Sequence, residues 1–136
     1  MDATIGGRMN LEYDSLNRQL REQLPVLGEP RYTQLIAGIE AGPYVVFGVM
    51  LNQYLVDVAK KDDLQARSGV AAFIEEMAVA QNERVSDMLA SEVLPTVVGS
   101  QSMVDAYWPL LGVATRRRLR LLSPRFTANV KFPSSE

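Results

Sequence analysis

Carboxylates carry most of the potential chemistry of this chain, because the sequence contains neither histidine nor cysteine. Histidine is the commonest general base and metal ligand, and cysteine supplies thiolate nucleophiles and zinc ligands. Ser-His-Asp catalysis, Cys-His catalysis and the usual zinc sites are therefore excluded within the chain. Gly6-Gly7 does not form a phosphate-binding loop, since no strand pattern precedes it and no Lys-Ser/Thr follows it.

The remaining candidates for acid–base or metal chemistry are paired carboxylates. Glu75 and Glu76 are adjacent, and adjacent residues of a helix point about 100° apart, so they do not converge on one proton or metal. Glu76, Glu83 and Asp87 could meet across a helix turn-around and hold magnesium, but a solvated acidic face is the simpler interpretation. We therefore expect no catalytic residue, no metal and no cofactor. Asp57 and Lys60 are expected to form a surface ion pair.

Charge is unevenly distributed along the chain, although the overall formal charge is only −2. Residues 57–105 contain nine acids and four bases, whereas residues 116–131 contain six bases and no acid. The acidic region is either a solvated face or a recognition surface for a basic protein, because opposed charges accelerate association and reject wrong partners. The basic run is either an amphipathic helix with Leu119 and Leu122 inward, a set of internal ion pairs, or a nucleic-acid site.

Apolar residues spaced three and four apart predict helices along nearly the whole chain. Helices are expected at residues 10–24, 30–41, 44–61 and 62–80, then from Gln81 or Asn82 to Gly99, from Ser102 with a bend at Pro109 and Gly112, and over 114–122. Pro95 should kink or shorten the fifth helix. Gly69 predicts a close helix crossing, and Leu64 is expected to face inward. Strand alternation is absent except for ANVKF, residues 128–132.

This pattern predicts an all-α fold, a compact bundle of about six to seven antiparallel helices. A 20-residue offset pairs Phe73 with Val93 and Met77 with Val97, which suggests HEAT-like stacking of helical hairpins. The expected organisation is a flexible N-terminus (1–9), a single helical domain (10–126) and an extended or disordered tail (127–136).

The sequence gives no sign of a membrane or secretory segment. Its start lacks the layout of a signal peptide, and the most apolar run, residues 43–51, is shorter than the roughly 20 residues that cross a bilayer. We therefore expect a cytoplasmic protein. The small net charge argues against a dedicated nucleic-acid binder, which is usually strongly basic.

The order of several apolar and glycine motifs resembles a family of short, all-helical bacterial proteins. The motifs are Tyr13-x2-Leu16, Pro25-Val-Leu27, Tyr32, Glu40, Phe47-Gly48, Leu51-x2-Tyr54-Leu55, Asp63, Phe73-Ile-Glu75-Glu-Met77, Val85, Leu89, Val93-Leu94, Leu111-Gly112 and Thr115-Arg116. Members of this family resemble immunity proteins encoded beside secreted polymorphic or Rhs-type toxins, such as those of type VI secretion. The resemblance spans residues 11–126 and implies stoichiometric binding that occludes a toxin's active site or substrate cleft.

These considerations predict a non-catalytic partner-binding surface. The predicted contacts with a basic toxin cleft are Asp57, Asp62, Asp63, Glu76, Glu83 and Asp87. Glu75 is a weaker candidate contact, because the motif shared with the resembled family implies a buried or capping role for it. The predicted partner is a cognate protein toxin, with no small-molecule substrate and no membrane. The alternatives are a helical adaptor or regulatory protein, and a nucleic-acid-binding protein that uses the arginine cluster Arg116, Arg117, Arg118 and Arg120.

Overall fold

Helices joined by short turns make up most of the chain in the computed structural model, which describes residues 4–5, 8–9, 11–37 and 42–133. Eight helices lie within these ranges: α1 Leu16–Gln23, α2 Pro30–Thr33, α3 43–61, α4 Leu64–Ala78, α5 83–97, α6 Gln101–Tyr107, α7 Val113–Arg120 and α8 Pro124–Thr127. A two-residue antiparallel ladder, Thr4–Ile5 with Arg8–Met9, precedes them. The all-α class is confirmed, and the single turn α8 raises the helix number above the six to seven predicted.

The N-terminal third contains short helical pieces because prolines interrupt it. A 3₁₀ turn, Tyr13–Ser15, leads into α1, and Pro25 opens a second 3₁₀ segment, Pro25–Gly28. The predicted helix over 30–41 is correct only at its start, because α2 gives way to the 3₁₀ turn Gln34–Ile36. Residues 38–41 lie outside the described ranges.

Helices α3 and α5 each contain a wide π segment that the sequence pattern did not predict. The segments are Val46–Leu51 in α3 and Leu89–Val93 in α5. In α5 the wide turn comes directly before Leu94-Pro95, where proline has no N–H to donate and its ring would crowd the preceding turn. The helix therefore continues through Pro95 to Val97. The Asn52 side-chain amide links the two helices, donating to the carbonyls of Gly48 (3.1 Å) and Glu92 (2.7 Å).

Side-chain caps fix the ends of α4 and α5. Asp63 accepts a hydrogen bond from the Ala66 N–H and begins α4, and Asn82 caps the start of α5 in the same way. Two predictions about α4 were wrong. Leu64, its first residue, is 62% exposed, and the nearest atom to a Cβ added at Gly69 is 4.0 Å away, so no close crossing occurs there.

The core lies where α3, α4, α5 and α6 pack together. Fully buried members include Phe47, Leu55, Ile74, Leu89 and Tyr107. The Tyr107 hydroxyl donates to the Leu55 carbonyl at 2.7 Å, which satisfies the one polar atom of a large buried side chain. Burial raises the pKa of this phenol, since ionisation would place a charge in the core.

The C-terminal segment packs against the helices instead of adding a strand. Residues 128–133, including ANVKF, have neither helix nor strand structure. The Lys131 N–H donates to the Gln101 side chain (2.7 Å), and the Gln101 amide donates back to the Lys131 carbonyl (3.0 Å). Phe132 stacks on Trp108 with ring centroids 5.0 Å apart. Trp108 is buried.

Candidate partner-binding surface

The six predicted contact acids fall into two groups at opposite ends of α4. Asp57, Asp62 and Asp63 lie around the turn between α3 and α4, and we call them the α3–α4 acids. Glu76, Glu83 and Asp87 lie around the turn between α4 and α5. Helix α4 has 15 residues, so about 20 Å separates the two ends at 1.5 Å per residue. The acids therefore do not form one continuous patch along a helix face.

Asp57 is held by neighbouring side chains. Its carboxylate accepts hydrogen bonds from the Tyr32 hydroxyl and the Gln53 amide, both at 2.9 Å. Partial burial alone would raise its pKa, but these hydrogen bonds, together with the positive charges of Arg31 and Lys61, outweigh burial and lower it. In return, burial and the Asp57 hydrogen bond raise the pKa of Tyr32 to about 12. Asp57 thus stabilises the contact between α2 and α3.

Asp62 and Asp63 shape the turn between α3 and α4. Asp62 adopts the left-handed conformation (φ 57°) that ends α3, and its carboxylate lies 3.3 Å from the Arg67 guanidinium. Asp63 uses one carboxylate oxygen to cap α4. Lys60 and Lys61 occupy the last turn of α3, where cations interact favourably with the helix dipole. All three α3–α4 acids consequently have structural roles and basic residues close by.

The opposite end of α4 carries more freely exposed carboxylates. Glu83 and Asp87 are exposed on the first turns of α5, whereas Glu76 is half-buried. Two acids that sequence reasoning missed join them: Glu12 accepts from the Asn82 amide at 2.9 Å, and exposed Asp14 lies 3.7 Å from Arg84. We call the set Glu12, Asp14, Glu76, Glu83 and Asp87 the α4–α5 acidic end.

No local sequence signal marks Glu12 or Asp14 as part of this surface. The contact between Glu12 and Asn82 spans 70 positions of the chain, so only the tertiary fold brings them together. The Arg84 guanidinium also lies 3.8 Å from the Tyr13 ring centroid, and this contact holds residues 12–15 beside the start of α5. Arg84 thus places a positive charge beside Asp14 at this end.

Glu75 caps another helix, as the capping alternative predicted. Its carboxylate accepts hydrogen bonds from the Ala114 N–H (3.2 Å), the Thr115 N–H (2.9 Å) and the Thr115 hydroxyl (2.8 Å). The Glu75 carboxylate accepts hydrogen bonds from N–H groups that have no partner within α7. Its negative charge also interacts favourably with the positive end of the helix dipole. Gly112 makes room for it, because a Cβ at that position would lie 2.7 Å from Glu75 Cγ.

The arginine cluster divides into half-buried and exposed members. Arg116 donates two hydrogen bonds to the Trp108 carbonyl. Arg118 donates to the Ala78 carbonyl at 3.0 Å and to the Ser86 hydroxyl at 2.7 Å. Arg117 and Arg120 are exposed, and Arg120 also lies over the Trp108 ring. Leu119 is fully buried, so the amphipathic-helix prediction holds, with two arginines bound to carbonyls at helix ends instead of acids.

In residues 11–37 and 42–133, no group of three or more acidic side chains is placed to hold a metal ion. Within the same part of the chain, no helix combines the length and the apolarity needed to span a bilayer.

Comparison with protein-family models, with curated proteins and with solved structures returned no match in any of the three searches.

Proposed function

We propose that this chain is an immunity protein that neutralises a cognate bacterial toxin by stoichiometric occlusion, with the α4–α5 acidic end as its main contact surface. The observation that carries the proposal is the concentration of exposed carboxylates at this end, around the turn between α4 and α5, where Asn82 caps α5. A toxin that acts on nucleic acid or nucleotides has a basic cleft, and a rigid acidic surface can occupy such a cleft. The sequence resemblance to immunity proteins supports the same function.

The fold favours the α4–α5 acidic end over the α3–α4 acids. Asp57, Asp62 and Asp63 are engaged by Tyr32, Arg67 and the α4 N-terminus respectively. A partner would have to compete with these contacts. Glu83 and Asp87 are exposed and lie one turn apart on α5, so they present two carboxylates on the same helix face. Exposed charges of this kind raise the rate of association with an oppositely charged partner and restrict the choice of partner.

Co-expression with the toxin encoded beside this chain tests the proposal. The double variant Glu83→Lys/Asp87→Lys should abolish both growth rescue and co-purification, because both substitutions place like charge against a basic cleft. A matched control, Glu22→Lys/Glu29→Lys, changes net charge equally at exposed acids elsewhere and should still protect. Equal protection by both double variants would overturn the proposed surface. Circular dichroism confirms that each variant remains helical.

The adaptor alternative differs only in its partner. It is favoured if the chain neither rescues growth nor co-purifies with the neighbouring gene product. The nucleic-acid alternative is weakened by the fold, because Arg116 and Arg118 hydrogen-bond to backbone carbonyls. That leaves Arg117 and Arg120 as the outward-facing members of the cluster. A gel-shift titration at low salt should accordingly detect no binding, since few phosphate contacts are available.

A further inference from the structure

A groove lies between the C-terminal half of α3, the end of α5 and the start of α6. Its volume is about 640 Å³, and its apolar lining comes from Val56, Ala59, Pro95 and Met103. Known small-molecule sites range from about 300 to 1,000 Å³ and combine apolar walls with a few converging polar groups. Its walls come from three mutually packed helices and from Gly99 and Ser100 in the short turn between α5 and α6.

The charged and hydroxyl groups of this groove are donors, with no carboxylate among them. Lys60 lines it, together with the hydroxyl-bearing residues Thr96, Ser100 and Ser102. The two serine oxygens are 3.0 Å apart, and Ser100 Oγ also accepts from the Met103 N–H. One hydroxyl proton is shared between the serines, whichever donates. The second proton remains available to a ligand.

The Lys60 ammonium has no carboxylate partner in the described parts of the chain. The ion pair with Asp57 expected from their spacing is not formed, because Asp57 accepts from Tyr32 and Gln53 instead. Lys60 is exposed and lines the groove, and a lysine side chain combines an apolar stem with a charged end. A cation and a hydroxyl donor therefore lie beside the apolar lining of the groove, and no acidic residue lines it.

We propose that this groove binds an amphipathic anion, a small molecule with an aliphatic chain and a carboxylate head group. The chain would lie against Val56, Ala59 and Met103, and the carboxylate would accept from Lys60 and a serine hydroxyl. The groove should prefer an anionic over a cationic amphiphile. The positive charge of Lys60 would repel a cationic head group, and no carboxylate lines the groove to pair with it. The proposal uses none of the α4–α5 acidic end and is independent of toxin binding.

Methyl NMR spectroscopy with dodecanoate, below its micelle concentration, tests the site directly. Saturable shifts are expected at the Met103 and Ala59 methyl groups. Decanoate should bind about tenfold more weakly, because each buried methylene contributes roughly threefold to fourfold. Undecyltrimethylammonium has the same undecyl chain as dodecanoate and the opposite charge, so it should bind more weakly than dodecanoate. No shift at either methyl group, or equal affinity for the two amphiphiles, would overturn the proposal.

A pair of lysine variants locates the head group. Lys60→Met keeps the apolar stem and should weaken dodecanoate binding about threefold, the size expected for a solvent-exposed ion pair. Binding of neutral dodecanol should not change. Lys61→Met removes the adjacent charge, which does not line the groove, and should leave both affinities unchanged. Equal losses in the two variants would show only a general charge effect, and would refute a head-group contact with Lys60.

Discussion

Substitutions at Glu75 and Gly112 should affect stability in a coupled way. The structure predicts whether each one stabilises or destabilises the fold. Replacing Glu75 with alanine removes three hydrogen bonds to the start of α7. Loss of a helix N-cap typically costs about 0.5–2 kcal/mol, and the buried Thr115 hydroxyl also loses its acceptor. We expect Glu75→Ala to lower the free energy of unfolding by about 2–3 kcal/mol, since hydrogen bonds to charged groups are stronger than neutral ones.

Gly112→Ala should destabilise the native chain for the same reason. The new Cβ would lie 2.7 Å from Glu75 Cγ and closer still to the carboxylate, so the Glu75 side chain would have to move and α7 would lose its cap. The backbone at residue 112 (φ −75°, ψ 171°) is one that alanine adopts without strain. The predicted cost is therefore that of losing the cap, about 2 kcal/mol.

In the Glu75→Ala background, the effect of Gly112→Ala on the free energy of unfolding should change sign. With alanine at residue 75, the three atoms nearest to the methyl group of Gly112→Ala, all from the Glu75 side chain, are gone. The substitution should then stabilise by about 0.4–1 kcal/mol, because it restricts the unfolded chain. Urea unfolding followed by Trp108 fluorescence and circular dichroism measures all four species in one cycle. Additive losses in the double variant would refute the inference that Gly112 serves the Glu75 cap.

Three further predictions concern other charged side chains. Arg118→Met should cost about 1–2 kcal/mol, because the Ala78 carbonyl and Ser86 lose their donor, whereas exposed Arg117→Met should cost less than about 0.5 kcal/mol in the same urea titration. Asp63→Ala removes a helix cap and should cost about 1 kcal/mol by thermal unfolding. Asp57→Asn tests the lowered pKa of Asp57: the stabilisation by its carboxylate is fully present above the unfolded pKa of 3.8 and is lost as pH falls through the lower folded value. The stability difference between native chain and variant should therefore shrink in acid, and a constant difference would contradict the assignment.

Local signals in the sequence predicted the helices and several of their ends. Lys60, Lys61, Asp63 and Asn82 occupy helix ends as charge and capping preferences indicate. The π segments were missed because a wide turn preserves the apolar character of its residues while shifting the helical period. Gly69 was misread because a glycine's position in a helix does not reveal its neighbours. Among the described glycines, Gly112 permits the close approach of Glu75, and Gly48 permits that of Glu92.

The candidate surface was only partly predictable. Sequence reasoning counted acids along the chain, but the hairpin geometry separates them, and hydrogen bonds engage Asp57 and Asp63. Glu12 and Asp14 join the surface through contacts with residues of α5 that are distant in sequence. Such contacts depend on tertiary packing. They leave no local pattern in the sequence from which they could be predicted.

The central claim is that the chain inhibits by occupying a surface and performs no chemistry on its partner. Titrating the purified chain into its purified cognate toxin while following toxin activity tests this most directly. Activity should fall linearly and reach its minimum at one equivalent, and the Glu83→Lys/Asp87→Lys variant should leave the activity largely intact. Complete inactivation by a small fraction of an equivalent would show turnover by the chain, and would contradict the proposal.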